Sequence, residues 1–484
     1  MRLLTTIASL VVLLSPASNA AAEEDLTEVS RTPGGMDLSP CSLPGIDQPA
    51  RCGSFAVAEN PDNPTGRQLS LGVAVIPAIG RSARPDPIVP LMGGPGEDAI
   101  GAAELYSKQF ELLRQDRDIL LVDQRGTGRS SALNCELYSG AAASASLRDV
   151  FPAAAVAACA QQLRRQADLT QYTYDRFGND LEQIRRALGY GPLNIFSGSY
   201  GTRAAQVYMR MYPQSVRTAY LGSAVPLDVR NPLPFAKTEQ AALDRLFDAC
   251  AADSACHSAF PNLREEFRQI EARLDSHPVA VALQGRPGMV PLYRGRIAEW
   301  IRSQLYRPYS SAKLPWLIHR ASLGDWSPIA EGILSSARGF GSDLSFGLFL
   351  SITCSEDVAF ISEADVKRQT DGTFLGDYRV REQQAACRHW PKAVLAKDYR
   401  EPVQSSVPTV FASGDDDGGT PLWYAKDVAK GFSNRQEVLM RGQGHTEWSD
   451  CVARIHQQLV ISGTVGKETE VSCPPVARPP FRTQ

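Results

Sequence analysis

Hydrophobic patterning along the first half of the chain predicts strands that alternate with helices. Short apolar or alternating runs that end in loop residues are typical of strands, and apolar residues spaced by three and four are typical of helices. The predicted strands span 68–77, 87–92, 118–122, 193–196 and 216–221, and the predicted helices span 175–189 and 202–211. Strands that alternate with helices in this way favour a mostly parallel sheet with helices on both faces, so the sequence predicts an α/β fold.

The pattern becomes helical after about residue 226, and strand patterns return only at 408–413 and 436–440. Two amphipathic helix faces support this interpretation; one contains Leu243, Leu246, Phe247 and Cys250, and the other contains Ile297, Trp300, Ile301 and Leu305. The sequence therefore predicts a helical cap over 227–401, inserted between two parts of one α/β core at 23–226 and 402–484. Residues 23–67, rich in Pro, Gly and polar side chains, are predicted to form an irregular lead-in.

The first 22 residues have the features of a secretory signal peptide. Arg2 is followed by an apolar stretch from Leu3 to Leu14, and small residues at 18–22 offer a cleavage site. The alternative is an uncleaved anchor, but the apolar stretch is shorter than the roughly 20 residues that a membrane helix needs. We therefore expect residues 1–22 to be removed, the mature protein to be periplasmic or secreted, and no stable membrane association after cleavage.

Composition adds two constraints to this picture. The 484 residues include 50 Lys and Arg against 53 Asp and Glu, so the formal net charge of −3 argues against nucleic acid as a partner. The ten cysteines are even in number and contain no CxxC pair that would suggest zinc or redox chemistry. In an exported protein we expect them to pair with their neighbours, although buried free thiols are the alternative; the neighbours are 41/52, 135/159, 250/256, 354/387 and 451/473.

The segment Ser197-Gly198-Ser199-Tyr200-Gly201 lies between a predicted strand and a predicted helix. A serine at such a sharp turn is the nucleophile of α/β-hydrolases, in which the pattern is usually Gly-x-Ser-x-Gly. Ser199 occupies the central position and Gly201 fits the pattern, whereas Ser197 replaces the first glycine. The alternative is an ordinary Ser/Gly turn, and the strand-to-helix context favours the nucleophile.

The remaining parts of an acyl-transfer site can be sought around this serine. Oxyanion donors are expected from the N–H of Tyr200 and from Gly94, in the Gly-Gly-Pro-Gly turn after the strand at 87–92. His445 follows the strand at 436–440 and is the candidate base. The acid should precede it, and the loop after 408–413 contains Asp415, Asp416 and Asp417, among which position alone does not choose. A solvated acidic turn or a calcium loop is the alternative interpretation of this loop. The other histidines are expected to be structural: His257, His277, His319, His389 and His456.

Six ordered motifs together resemble the secreted proline iminopeptidase and tripeptidyl aminopeptidase family of α/β-hydrolases. They are GGPG, DQRGTGRS, NDLEQIRRALGY, GSYGT, GDDDGGTP and GHT, and the resemblance runs from about residue 41 to residue 473. The family acid motif, G-x-x-D-x-x-T-P, implies that the acid is Asp417. The CSEDV segment also resembles the tripeptidyl branch, and it implies that Glu356 and Asp357 recognise the free amine of a substrate, unless they are surface acids. Met92 stands where the iminopeptidase branch often has His, which argues against strict proline specificity.

The sequence thus predicts an exported α/β-hydrolase, with a TAP-like C-terminal region, that removes N-terminal residues from peptides. Ser199 would attack the carbonyl, His445 would relay the proton and Asp417 would orient the imidazole. No metal or organic cofactor is expected, and the partner is a peptide or small-molecule substrate rather than nucleic acid; the sequence leaves the oligomeric state open. A carboxylesterase of small esters is the alternative, because the same triad serves both reactions. A catalytically dead binding protein is disfavoured because all three triad residues are present.

Overall fold

A computed structural model describes residues 30–80, 82–135, 137, 146–283 and 288–484, without the side chains of 338–343. The predicted signal peptide at 1–22 lies outside these residues. The strands of the described part are β1 (Ser30–Arg31), β2 (Asp37–Cys41), β3 (Ala50–Ala58), β4 (Gln68–Ile76), β5 (Ile88–Leu91), β6 (Ile119–Val122), β7 (Leu193–Gly198), β8 (Val216–Gly222), β9 (Val279–Ala282), β10 (Met289–Leu292), β11 (Thr409–Gly414), β12 (Arg435–Met440) and β13 (Glu470–Cys473).

The helices lie between these strands along the chain. They are α1 (Ala103–Gln109), α2 (Ala153–Leu163), α3 (Tyr174–Leu188), α4 (Gly201–Met211), α5 (Phe235–Ala252), α6 (Ser254–Ala259), α7 (Leu263–Ser276), α8 (Arg294–Gln304), α9 (Pro308–Ser311), α10 (Leu314–Ser322), α11 (Ser327–Asp343), α12 (Phe346–Glu356), α13 (Glu363–Thr370), α14 (Tyr378–Cys387), α15 (Leu422–Ala429) and α16 (Asp450–Ser462). The described part of the chain contains no helix with the length and apolar character of a membrane span.

Eleven of the strands form one sheet in the order β1-β2-β3-β4-β6-β5-β7-β8-β11-β12-β13. From β6 to β13 every pairing is parallel, whereas the pairings from β1 to β4 and from β4 to β6 are antiparallel. Parallel strands are buried on both faces, which explains the nearly continuous apolar runs in β5, β6 and β11. The predicted α/β class with a mostly parallel sheet is confirmed.

Two parts of the fold differ from the sequence predictions. Within the predicted irregular lead-in, residues 37–41 and 50–58 form the paired strands β2 and β3, and the nine residues of β3 all pair with β4 or flank that ladder. These strands are largely exposed on one side and contain Pro and Gly, so their sequence pattern is weak. They are defined by their pairing, β3 with β4 and β2 with β3. The insertion also contains the short antiparallel hairpin β9–β10, which appears within an otherwise helical segment.

The insertion builds a hydrophobic core of its own. Both predicted amphipathic faces pack into it, together with side chains from α7, α10, α11 and the β9–β10 hairpin. In contrast, every residue of α12 is buried, and its apolar side chains pack with α3 and α4 in the larger core on one face of the sheet. The predicted cap segment 227–401 therefore contributes to a core under the cap, to the core against the sheet, and to a small cluster of Leu233, Val366 and Val380.

All ten cysteines pair with their neighbours, as predicted. The disulfides join Cys41–Cys52, Cys135–Cys159, Cys250–Cys256, Cys354–Cys387 and Cys451–Cys473, and no free cysteine remains. Five disulfides are typical of proteins that fold outside the reducing cytosol, so the pairing favours an extracytoplasmic location.

Candidate active site

Ser199 lies at the turn between β7 and α4, in a backbone conformation that is rare for a residue with a side chain. Its φ is +54°, in the left-handed region, as expected for a strained nucleophile elbow. The turn requires small neighbours: a Cβ added at Gly201 would lie 2.2 Å from the carbonyl oxygen of Leu91. Ser197, the departure from the usual pattern, is buried in β7, and its hydroxyl donates to the carbonyl of Tyr220 at 3.3 Å. The strand therefore accommodates a serine at this position.

The structure brings Ser199, His445 and Asp417 into one hydrogen-bonded chain. The Oγ of Ser199 lies 2.9 Å from Nε2 of His445, and Nδ1 of His445 lies 2.9 Å from Oδ2 of Asp417. The three residues follow β7, β12 and β11, whose carboxyl ends meet at the same edge of the parallel sheet. This arrangement can transfer a proton from the serine hydroxyl to the imidazole while the carboxylate fixes the tautomer.

Asp417 is fully buried and is held by several donors besides His445. Its Oδ1 accepts the backbone N–H groups of Gly419 and Thr420 at 2.9 and 2.8 Å, and its Oδ2 accepts the hydroxyls of Thr420 and Ser223 at 2.6 and 2.9 Å. Burial by itself would raise the pKa of Asp417, but the neighbouring His445 and the hydrogen bonds outweigh it and lower this pKa below its usual value. The carboxylate is therefore ionised at neutral pH.

Backbone strain is concentrated around these residues. Among the described non-glycine residues, φ is positive at four positions; one is Ser199 itself, and two others, Ser223 and Thr446, adjoin the triad. The hydroxyl of Ser223 donates to Asp417 and accepts the N–H of Thr446 at 3.0 Å, so this serine ties the acid loop to the histidine loop. Strained residues that persist in this way are typical of functional sites.

The two other acids of the loop face different partners. Asp415 accepts the backbone N–H of Gly442 at 2.7 Å, and Asp416 forms ion pairs with Arg478 and Arg245. Only Asp417 of the three reaches His445, which is the choice that the family motif implied.

The two candidate oxyanion donors lie beside Ser199 on the cavity wall. Gly94 has a φ of +101°, which only glycine adopts without strain, and Tyr200 directly follows the nucleophile. Within the described residues neither backbone N–H has a hydrogen-bond acceptor. Both donors are thus left for a ligand, as an oxyanion hole requires.

Ser199 and His445 line a cavity of about 850 Å³ between the sheet and the insertion. Its apolar wall includes Phe235 and Trp300 from the insertion. Its polar wall includes Glu97 from the loop after β5, and a group of charged residues on α8 and α14. A cavity of this volume can take a short peptide or a small ester.

The predicted role of Glu356 and Asp357 does not fit this geometry. Both side chains are fully buried, and neither belongs to the residues that line the cavity. Asp357 forms an ion pair with Arg203 at 2.8 Å and accepts the hydroxyl of Tyr200. Glu356 accepts the backbone N–H of Tyr174 at 3.2 Å, and burial raises its pKa to about 7. These two acids therefore lie behind the nucleophile elbow and not in the cavity. The prediction was wrong because a motif next to a disulfide cysteine does not show in which direction its side chains point.

Sequence reasoning missed three residues that contact the triad. Ser223 and Thr420 hold the acid, and Tyr306 receives the backbone N–H of His445 on its carbonyl at 2.7 Å while its ring lies 4.9 Å from the imidazole. Thr420 belongs to the Thr-Pro of the acid motif, so a signal existed for it. Ser223 and Tyr306 carry no pattern of their own, and only folding brings them to the site.

Comparisons with known proteins support the α/β-hydrolase fold. Residues 86–268 match the alpha/beta hydrolase fold family, and residues 372–473 match the TAP-like protein family. Serine protease Hip1 of Mycobacterium tuberculosis is 24% identical over 482 residues, covering 89% of each chain. Tripeptidyl aminopeptidase of Streptomyces coelicolor is 29% identical over 40% of this chain and 38% of its own, and proline iminopeptidase of Heyndrickxia coagulans is 27% identical over 28% and 34%.

The fold, the site and these matches define the class of protein: the chain is a serine hydrolase of the α/β-hydrolase fold with a TAP-like C-terminal region. Within that class it is related to the proline iminopeptidases and tripeptidyl aminopeptidases, and the resemblance that the six motifs indicated is confirmed.

Proposed function

We propose that the protein is a periplasmic or secreted serine peptidase that releases residues from the N-terminus of short peptides, with Ser199, His445 and Asp417 as its catalytic triad. One observation carries the proposal. The two ring nitrogens of His445 lie 2.9 Å from the Oγ of Ser199 and 2.9 Å from the Oδ2 of Asp417, at the wall of a charged cavity between the sheet and the insertion. The names of the related peptidases and the extracytoplasmic character of the disulfides support it.

The chemistry follows from the positions of these side chains. Ser199 Oγ attacks the carbonyl carbon while its proton passes to Nε2 of His445, and the oxyanion that forms accepts the N–H groups of Gly94 and Tyr200. His445 then returns the proton to the leaving amine. Water, activated by the same imidazole, hydrolyses the acyl enzyme and releases Ser199. Asp417 stabilises the imidazolium in both steps without taking its proton.

An enzyme that acts at an N-terminus needs a partner for the free ammonium group, and Glu97 is our candidate. It lines the cavity, in the loop that also carries Gly94. A Cβ added at Gly93 would lie 3.6 Å from Oε2 of Glu97 and 3.5 Å from Cβ of Ser199. Oε2 of Glu97 and Cβ of Ser199 therefore lie at most 7.1 Å apart, on the same part of the cavity wall. A charge-assisted hydrogen bond of this kind contributes about 1.5–3 kcal/mol.

The test compares peptides that differ only in their amino terminus. Acetylation removes the positive charge, so we expect acetylated peptides to have kcat/KM values lower by about tenfold or more, since about 1.4 kcal/mol is a factor of ten. Glu97→Gln should reduce this difference, and Glu97→Asp should retain part of it. Equal turnover of free and acetylated peptides would exclude the aminopeptidase. Turnover of p-nitrophenyl esters without any peptide turnover would favour a carboxylesterase.

A further inference from the structure

Four charged side chains form a group on the cavity wall contributed by the insertion, which we call the arginine cluster. Arg296, Glu299 and Arg302 lie on α8, and Arg379 lies on α14. All four line the cavity that contains Ser199, and each is only 6–7% exposed. Charges that are this deeply buried are costly unless they are paired, so their partners decide what the cavity can bind.

Glu299 is the carboxylate of the cluster, and two guanidinium groups already share it. Arg302 donates to both of its oxygens, at 2.9 and 2.8 Å, and Nε of Arg379 lies 3.2 Å from Oε1. Arg379 also donates to the side chain of Gln383 at 2.5 Å. Arg296 donates to the neutral carbonyl of Ser146 at 2.7 Å, and no carboxylate of the described residues forms an ion pair with it.

The other carboxylates near the cluster do not balance its charge. Glu239 lies 3.6 Å from Arg302, but both of its oxygens lack a hydrogen-bond donor, and burial raises its pKa to about 8, so it is mostly neutral at pH 7. Glu382, beside Arg379, is engaged by the backbone N–H of Phe151 at 3.1 Å, and burial raises its pKa as well. Even when Glu382 is counted as ionised, the three guanidinium groups outnumber the two carboxylates Glu299 and Glu382, and Glu382 does not line the cavity. The cavity wall therefore carries an excess of positive charge.

The cluster is connected to the catalytic histidine through a single residue. Nη1 of Arg302 donates to the hydroxyl of Tyr306 at 2.6 Å. The ring of Tyr306 lies 4.9 Å from the ring of His445, and its carbonyl accepts the backbone N–H of the same histidine. A molecule whose carbonyl is at Ser199 can therefore reach the cluster with a side chain or a short stretch of chain.

We infer that the arginine cluster binds a carboxylate of the substrate, so that the enzyme prefers anionic acyl compounds and peptides. Guanidinium groups pair with carboxylates in a fixed, often bidentate geometry, which suits this role. In a peptide, the carboxylate can belong to an acidic side chain or to the free C-terminus. The inference rests on the proposed function for peptides, but it also applies to esters.

Three matched substrate pairs test the inference and identify the source of the carboxylate. The first pair is the p-nitrophenyl half-ester of adipic acid and p-nitrophenyl hexanoate, which have equal chain lengths. The second pair is a free-amine tripeptide with Glu or Gln in its first position. The third pair is a neutral tripeptide with a free or an amidated C-terminus. We expect the charged member of the ester pair and of at least one peptide pair to have a kcat/KM at least tenfold higher.

Variants of the arginine cluster should change the ratio of kcat/KM between the charged and the neutral member of each pair. Arg379→Gln and Arg296→Gln should each lower the preference by about tenfold, and Arg379→Lys should retain part of it. The matched control is Arg381→Gln, because Arg381 lies on the same helix but is exposed and paired with Glu363. If one cluster variant fails to fold, the other provides the same comparison.

The outcomes separate this inference from the proposed function. A preference for the half-ester in a protein that cleaves no peptide would support the cluster as an anion site and refute the peptidase. Cleavage of free-amine peptides with charged-to-neutral ratios near one in all three pairs would refute the anion site and leave the peptidase standing. Equal ratios in Arg379→Gln and Arg381→Gln would also refute the inference.

Discussion

Replacement of Asp417 by Asn removes one charge at nearly constant volume. The hydrogen-bond donors around this side chain determine how the replacement affects His445 and catalysis. Oδ1 accepts two backbone N–H groups, and Oδ2 accepts the imidazole N–H and two hydroxyls. An amide offers one acceptor oxygen and one donor nitrogen. If the amide oxygen stays with the backbone, its NH₂ group faces His445, which must then present a bare Nδ1. The proton moves to Nε2, where it faces Ser199 and prevents proton transfer.

The expected loss follows from this change of tautomer. In another Ser-His-Asp enzyme the same substitution lowers kcat by about 10⁴-fold, which corresponds to about 5.4 kcal/mol at about 1.36 kcal/mol per factor of ten. We expect a loss of this order in Asp417→Asn, with KM changed far less. The buried hydroxyls that lose an acceptor should reduce the free energy of unfolding by about 1–3 kcal/mol.

Steady-state hydrolysis of a p-nitrophenyl ester provides the assay, and circular dichroism confirms that the variant is folded. The matched controls are Asp415→Asn and Asp416→Asn, which sit in the same loop but bind Gly442 and two arginines. They should reduce kcat by less than about threefold, because neither side chain contacts His445 and the tautomer of the imidazole is unchanged. The reasoning is refuted if Asp417→Asn keeps more than about a tenth of the activity, or if Asp415→Asn is equally damaging.

Three further predictions concern residues that surround the triad. Thr420→Val removes a hydroxyl that donates to Asp417 at 2.6 Å, so kcat should fall about 10- to 100-fold with little change in KM, whereas Thr420→Ser should be nearly normal. The pKa of Glu239 is raised in the folded state to about 8, so between about pH 4.5 and 8 the unfolded chain releases this proton first and stability falls as pH rises. Glu239→Gln should flatten that part of a profile of Tm against pH. A variant profile that runs parallel to that of the wild-type protein would contradict the assignment. Asp357→Asn should lower the free energy of unfolding by about 3–5 kcal/mol, because it leaves Arg203 buried without its counter-ion. The ratio of kcat/KM between free and acetylated peptides should stay the same. Loss of that preference would restore Asp357 as an amine-binding residue.

The chain itself determined the parts of this protein that depend on local pattern. Apolar or alternating runs define β4 to β8, β11 and β12 within a few residues. Strands buried on both faces, such as β5, β6 and β11, must be apolar throughout, and half-buried strands such as β12 alternate. The neighbouring cysteines pair as expected, since short separations in the chain keep thiols close together. Ser199 and His445 were found because each lies directly after a predicted strand, and the carboxyl ends of parallel strands meet at one edge.

Tertiary structure decided what depends on the direction of a side chain or on a distant partner. Glu356 and Asp357 adjoin a cysteine in a promising motif, yet only the packing of α12 shows that they point into the core. The strands β2 and β3 exist because β3 pairs with β4 and β2 pairs in turn with β3. The arginine cluster combines residues of α8 and α14 that are about eighty positions apart, and its excess charge appears only when burial and pairing are known. Local sequence encodes periodicity, whereas electrostatic balance is a property of groups that folding brings together.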